Sequence, residues 1–164
     1  DKLVTGVQTC ALPIYEAKAF SKAINAEFME VKSDSLLETL KNKEFDTVVI
    51  HDELRPLVNQ AQMQRTFDAL ADFDAVRPTM SFTETIKSLD ENQRLNETID
   101  REKVRRISSP EVIRKIAIDF QGQINTWSVP LRTGARTSQI ESDPQGIRVN
   151  NLPELKMLAA LAQL

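Results

Sequence analysis

The chain has 164 residues, the size of one domain, and its 41% hydrophobic and 27% charged residues exclude the disordered, collagen-like and disulfide-scaffold classes. Its 21 basic against 24 acidic residues leave a net charge of −3, the wrong sign for a sequence-independent nucleic-acid binder, and one Cys with one His cannot build a structural zinc site or a Cys–His nucleophile pair. No apolar run approaches the roughly 20 residues of a membrane span and no signal pattern opens the chain, so a cytoplasmic protein with neither nucleic-acid nor membrane partners is expected.

Taken in chain order, Val4 to Ile14 shows neither helical nor strand periodicity. This stretch resembles the in-frame translation of a short-read sequencing adapter, so residues 1–14 are read as an artefactual segment to be set apart from fold reasoning. On that reading Cys10 is not native, the natural sequence starts near Tyr15, and the first strands of the domain are missing from a partial domain spanning residues 15–164. The alternative is a genuine strand and turn punctuated by Gly6 and Pro13.

Tyr15 to Phe28 contains no Gly or Pro and spaces Phe20, Ile24 and several alanines for a helix. Ser33 or Asp34 can cap a second helix through Leu36, Leu37 and Leu40. Phe45 to Ile50 is β-branched and apolar, as in a strand buried on both faces of a mainly parallel sheet, and it stops at His51-Asp52. Asn59 opens a helix through Met63, Phe67 and Leu70, and Ala75 to Phe82 reads as a strand in which Pro78 needs an edge or a bulge. Residues 83–101 form two mixed segments about the polar tip Asp90 to Gln93, a hairpin arm standing away from the core. Ser109-Pro110 has the signature of a helix start, with the helix running through Val112, Ile113, Ile116 and Ala117 to Phe120. Gln121 to Asp143 reads mostly as loop with short strands near Val129 and Thr137 to Ile140, Gly146 to Val149 as a short strand, and Asn150 or Asn151 as the cap of a last helix with an apolar face at Leu155, Leu158, Ala159 and Ala162. This alternation predicts an α/β domain with helices on both faces of a twisted sheet, whose ligands sit at the carboxyl ends of strands.

Asp52 and Arg55 follow the clearest strand. A carboxylate there can hold a divalent cation that bridges phosphates and a guanidinium can grip phosphate oxygens, while the simpler alternative is an Asp that caps a turn and pairs with Arg55. His51 reads as a hydrogen-bonded loop residue. Thr85, Lys87 and Arg101 on the arm, with Lys103, Arg105 and Arg106 beyond it, make a second polar group that fits a solvated face equally well.

Four segments in order, His51-Asp52-Glu53-Leu54-Arg55-Pro56, Phe82-Thr83-Glu84-Thr85-Ile86-Lys87, Thr98-Ile99-Asp100-Arg101 and Gly146-Ile147-Arg148-Val149-Asn150, resemble the 2-C-methyl-D-erythritol 4-phosphate cytidylyltransferase family, and the similarity covers roughly Val31 to Leu164. The related ribitol 5-phosphate cytidylyltransferases share much of the pattern. The resemblance implies a Rossmann-like nucleotidyltransferase sheet of the glycosyltransferase-A type, transfer of CMP from CTP to a sugar-alcohol phosphate with Mg present, and a homodimer exchanging arms. It implies that Asp52 stands at the metal and nucleotide, that Arg55 supports that loop, and that Arg148 meets the substrate phosphate where the family usually has Lys. It further places Thr85 and Arg101 at the partner's substrate and Lys32 and Ser35 in the cytidine-binding loop. Four departures stand out. The family's Gly-rich basic triphosphate loop has no counterpart, Phe28-Met29 replace the glycine pair of the cytidine loop, Glu53-Leu54 replace the small residues after the family's aspartate, and Thr126-Trp127 replace an acidic motif. A fragment inactive by itself is therefore expected, with a non-catalytic dimerisation or regulatory binding module as the alternative.

Overall fold

In the computed structural model, backbone is described for residues 3–7, 11–123 and 126–161, and side chains at the two ends from Tyr15 to Ala160. Strand β1 (Leu3–Val7) leads into helix α1 (Ala11–Ala23) and strand β2 (Glu27–Glu30). The helix predicted through Phe28 ends early. Asn25 takes a left-handed conformation (φ 54°), a common helix exit, and Ala26 N–H donates to Ser21 O at 2.8 Å. What α1 buries is the stripe Ala17, Phe20 and Ser21.

A short helical turn at Ser33–Ser35 precedes α2 (Leu36–Lys41), and neither Ser33 nor Asp34 caps it through its side chain. Strand β3 (Thr47–His51) is buried along most of its length. Asn59 caps α3 (Gln60–Asp68) by accepting from Gln62 N–H at 2.9 Å. Strand β4 (Ala75–Met80) follows, then the arm as an antiparallel hairpin of β5 (Ile86–Leu89) and β6 (Leu95–Ile99) in its own sheet. The short β7 (Arg106–Ile107) was not foreseen.

Two readings are corrected downstream. Residues 111–114 form strand β8 (Glu111–Arg114) and a short turn follows at Lys115–Ala117, so Ser109-Pro110 opens a strand and not a helix. The reason is tertiary: β3 and β4 need a partner between them, and Val112 and Ile113 fill both faces of that slot, while Ile116, which a helix would have buried, is 71% exposed. Residues 146–149, expected as a short strand, belong to no strand of the sheet. Strand β9 (Thr137–Glu141) appears where a short strand was expected. Helix α4 (Leu152–Leu161) is capped by Asn151, whose Oδ1 accepts from Glu154 N–H at 2.9 Å, but among its described side chains only Leu158 is buried.

The main sheet runs β2-β1-β3-β8-β4-β7, with β9 also on β4. It is mixed: β1 pairs parallel with β2 and β3, and β9 with β4, whereas β8 runs antiparallel to both neighbours. Strand β1 falls within the segment read as adapter-derived and fills the place where missing strands were expected. A parallel slot is satisfied by backbone hydrogen bonds, which do not depend on the origin of the codons. Pro78 sits where β4 passes from its β8 partners at Ala75 and Val76 to its β7 partners at Thr79 and Met80, a break in the ladder that tolerates a missing N–H.

Period-two alternation across the central strands divides the core. Val48, Ala75 and Ile113 face one cluster with Leu36, Leu40 and Phe45, while Val49, Val76 and Val112 face another with Phe20, Val58 and Met63. Helix α2 thus covers one face, and α1 and α3 cover the other.

Candidate active site

The carboxyl end of β3 delivers His51 and Asp52 to one end of the sheet. Asp52 Oδ1 accepts from Leu54 N–H at 3.0 Å and so closes the turn, while Oδ2 lies 2.9 Å from Arg148 Nε and 3.3 Å from Arg55 Nε. The simpler alternative posed by the sequence is thus realised: Asp52 caps the turn with one oxygen and pairs with Arg55 through the other, which also meets Arg148.

Arg55 is 5% exposed, and its Nη1 donates to Gly146 O at 2.7 Å. Burial lowers the pKa of this guanidinium, and the adjacent Asp52 opposes the shift. Arg148 also donates from Nη1 to Asn150 Oδ1 at 2.7 Å, and the backbone beside it is pinned by Val149 N–H to Leu54 O at 2.7 Å. Residues 146–150 are therefore laid against the β3 turn from almost a hundred positions away.

Beneath this pair lies a buried polar network. Ser109 Oγ accepts from Asp52 N–H at 2.9 Å and is 2.8 Å from His51 Nδ1. Gln62, fully buried on α3, donates to Ser109 O at 2.7 Å and accepts from Asp143 N–H at 2.6 Å. Ser142 Oγ reaches Ser108 Oγ at 2.9 Å, and Ser108 Oγ donates to Gly146 O at 3.0 Å. Gly146 is needed there, since a Cβ would stand 2.5 Å from Ser142 Oγ and 2.7 Å from Ser108 Oγ. His51 is 3% exposed; burial drives its pKa from 6.5 down to about 4, with Asp52 opposing and Arg55 assisting, so the ring is neutral at pH 7.

Above the network opens a cavity of about 350 Å³. Asp52, Arg55 and Arg148 line it together with apolar Val31, Leu36, Ile50 and Ile107, and with Ser108, Ser109, Glu111 and Ser128. A second cavity of about 400 Å³ shares Arg55 and Arg148 as a common wall and adds Arg106.

The other candidate residues lie elsewhere. Lys32 and Ser35 do not line this cavity, which takes Val31, Ser33 and Leu36 from their loop, and Ser35 Oγ donates to Lys32 O at 3.1 Å. Phe28 and Met29 pack against the two core clusters, so the larger side chains that replace the glycine pair do not line the cavity. Thr85 and Arg101 sit at the base of the arm, where Arg101 Nη1 donates to Thr83 O at 2.8 Å. The connection from β1 to α1, residues 8–10, lies outside the described residues; its sequence, Gln8-Thr9-Cys10, has neither the glycines nor the cations of a triphosphate cradle.

Sequence reasoning missed Gln62, Ser108, Glu111 and Ser128, and it took Ser109 for a helix cap. A helix that presents a glutamine among Met63 and Thr66, all three buried, offers a faint signal. The model of the 2-C-methyl-D-erythritol 4-phosphate cytidylyltransferase family matches residues 30–120, more than half of the chain. The chain belongs to that family.

Members of the cytidylyltransferase family similar to it include the bifunctional enzyme IspD/IspF of Nitrobacter winogradskyi, 40% identical over 75 residues, and that of Allorhizobium ampelinum, 41% identical over 66 residues. Those stretches make up 46% and 40% of this chain but 19% and 16% of those proteins, so the chain spans about a fifth of the length of the curated relatives it matches. Among solved structures, 4-diphosphocytidyl-2C-methyl-D-erythritol synthase from Anaerococcus prevotii superposes with a TM-score of 0.75 at 14% identity, covering 99% of this chain and 98% of that one. The 2-C-methyl-D-erythritol 4-phosphate cytidylyltransferase from Thermus thermophilus gives 0.73 at 13% identity, with coverage of 99% and 98%. The shared fold is the Rossmann-like nucleotidyltransferase sheet with its protruding arm.

Proposed function

We propose that this chain carries the transfer site of a CTP-dependent cytidylyltransferase, which moves CMP onto 2-C-methyl-D-erythritol 4-phosphate in isoprenoid precursor synthesis. The observation that supports this reading most is the convergence of Asp52, Arg55 and Arg148 on one cavity at the end of β3. A phosphate oxygen of the acceptor attacks the α-phosphorus of CTP, the bond from that phosphorus to the bridging oxygen breaks, and pyrophosphate leaves with the electron pair. Little proton transfer is needed, so the protein acts by positioning and charge neutralisation.

Arg148 carries the acceptor phosphate and screens the charge of the approaching α-phosphate. Arg55, locked by Asp52 and Gly146 O, holds the wall against which both phosphates pack. Asp52 holds the two cations together at a fixed spacing. One carboxylate suits Mg, which is usually held by one or two carboxylates plus substrate phosphates; Asp52 would hold it, and the ion would neutralise triphosphate charge.

The arm, exposed along its length, supports a homodimer in which Thr85 and Arg101 reach the partner's substrate. Among the described residues no helix is long and apolar enough to cross a membrane. The net charge of −3 argues against a sequence-independent nucleic-acid partner.

The test replaces residues 4–14 with a glycine-rich basic strand and loop of the kind the family carries and follows pyrophosphate release from CTP. Release is expected only when 2-C-methyl-D-erythritol 4-phosphate is present, and the unmodified chain should be at least a hundredfold slower. Faster release with ribitol 5-phosphate would transfer the activity to that acceptor. Tight CTP binding without release would favour the binding-module reading.

A further inference from the structure

The cavity is lined by groups of both signs. Arg55 and Arg148 face it together with Asp52, and Glu111 faces it as well, with Ser128 beside it. Glu111 is the outlier. It is 7% exposed, lies in the middle of the sheet beside Ile50, and carries a charge that burial disfavours.

Its partners explain how it is kept there. Glu111 Oε1 lies 2.6 Å from Arg77 Nη2, and Oε2 accepts from Ser128 N–H at 2.8 Å. The Arg77 guanidinium in turn stacks over the Trp127 ring at 3.9 Å. Arg77 does not line the cavity whereas Glu111 does, so the pair shows its acid to the ligand and hides its base beneath Trp127. A buried ion pair is a poor means of stabilising a fold, because well-packed apolar residues of similar volume often do as well or better. Its place in the lining of a ligand-sized cavity therefore calls for a role in binding.

We propose that Glu111 is the hydroxyl-reading residue of this cavity: it accepts hydrogen bonds from the polyol end of a phosphorylated sugar alcohol whose phosphate rests on Arg148 and Arg55. Each carboxylate oxygen has a second lone pair for a ligand hydroxyl after its protein partner is served. The negative charge also biases the ligand's direction, since a phosphate is repelled by Glu111 and drawn to the two guanidinium groups. An acceptor without hydroxyls leaves that carboxylate with nothing in exchange for its lost water. The inference rests on the cavity being the acceptor's site, and it adds the residue that selects a polyol over a plain phosphate ester.

Calorimetry on the unmodified chain tests this with two probes, 2-C-methyl-D-erythritol 4-phosphate and butyl phosphate. The polyol ester should bind between about tenfold and a hundredfold more tightly, as expected for hydrogen bonds to a charged acceptor. Glu111→Gln should erase most of that preference and leave butyl phosphate binding within about twofold. Because that change strands Arg77, the double variant Arg77→Met with Glu111→Gln, which removes both charges, is measured beside it and should lose the same preference. A preference that survives in a folded variant overturns the proposal, as does an unmodified chain that shows none. If the loop-restored protein releases no pyrophosphate while the preference still depends on Glu111, the enzymatic reading falls and this one stands; turnover with an unchanged preference gives the reverse.

Discussion

Arg55 and Arg101 are both arginines to which the resemblance gives a part, the first in supporting the Asp52 loop and the second at the partner's substrate, yet their surroundings have little in common. Arg55 is buried, paired with Asp52, and bonded to Gly146 O, itself held by Ser108 and backed by Ser142 and Gln62. Arg101 is exposed at the root of a two-stranded arm and holds only its own hairpin's Thr83 O. The cavity is organised before any ligand arrives, which is what charge stabilisation in phosphoryl chemistry requires. The arm has local order, and its Arg101 lines neither of the two cavities described above.

The contrast breaks hardest at Gln62. Gln62→Leu leaves Ser109 O and Asp143 N–H without their partner and removes an acceptor from Ser142 Oγ. About 4 kcal/mol of stability should go, and thermal melting should show a fall of roughly 10 °C. An equal fall from any single change on the arm would contradict the division.

Acid probes the same region. The His51 pKa is about 4 in the fold against 6.5 as a free side chain, so the unfolded chain binds the extra proton first. Stability is therefore unaffected above about pH 6.5 and is lost as pH falls from there toward about 4, by about 3 kcal/mol in all. Denaturant titrations of His51→Gln against the unmodified chain should converge as pH drops; parallel curves would show that His51 is not held neutral.

At the small end, Leu95→Ser on the arm should change stability by no more than about 0.5 kcal/mol, since Leu95 is 76% exposed. In a dimer joined through the arms the same change would lower the association measured by sedimentation, which sharpens the distinction between folding and assembly.

The sequence disclosed the parts of this arrangement that obey local rules. Thr47 to His51 is β-branched and closes on an Asx turn at Asp52, Asn59 caps its helix, and the polar tip at Asp90 marks the hairpin. It concealed what depends on distant neighbours. Glu27–Glu30 continues a run of good helix formers and becomes a strand because Asn25 turns the chain beside β1. Glu111–Arg114 carries a helix-start signature and becomes the strand between β3 and β4. With β8 read as a helix, Glu111 and Ser109 have no place on the cavity. Arg55 and Arg148, 93 positions apart, are joined in the sequence only through a family resemblance, and their shared carboxylate is visible only in three dimensions.

The most direct test compares Asp52→Asn with Asp100→Asn in the loop-restored protein, measuring pyrophosphate release from CTP and thermal stability together. Asp52 gathers Arg55 and Arg148, whereas Asp100 caps a turn at the arm's root. The account predicts at least a hundredfold loss of turnover for Asp52→Asn in a folded protein and a change within about twofold for Asp100→Asn. Undiminished turnover in Asp52→Asn would contradict the assignment of this cavity as the site of transfer.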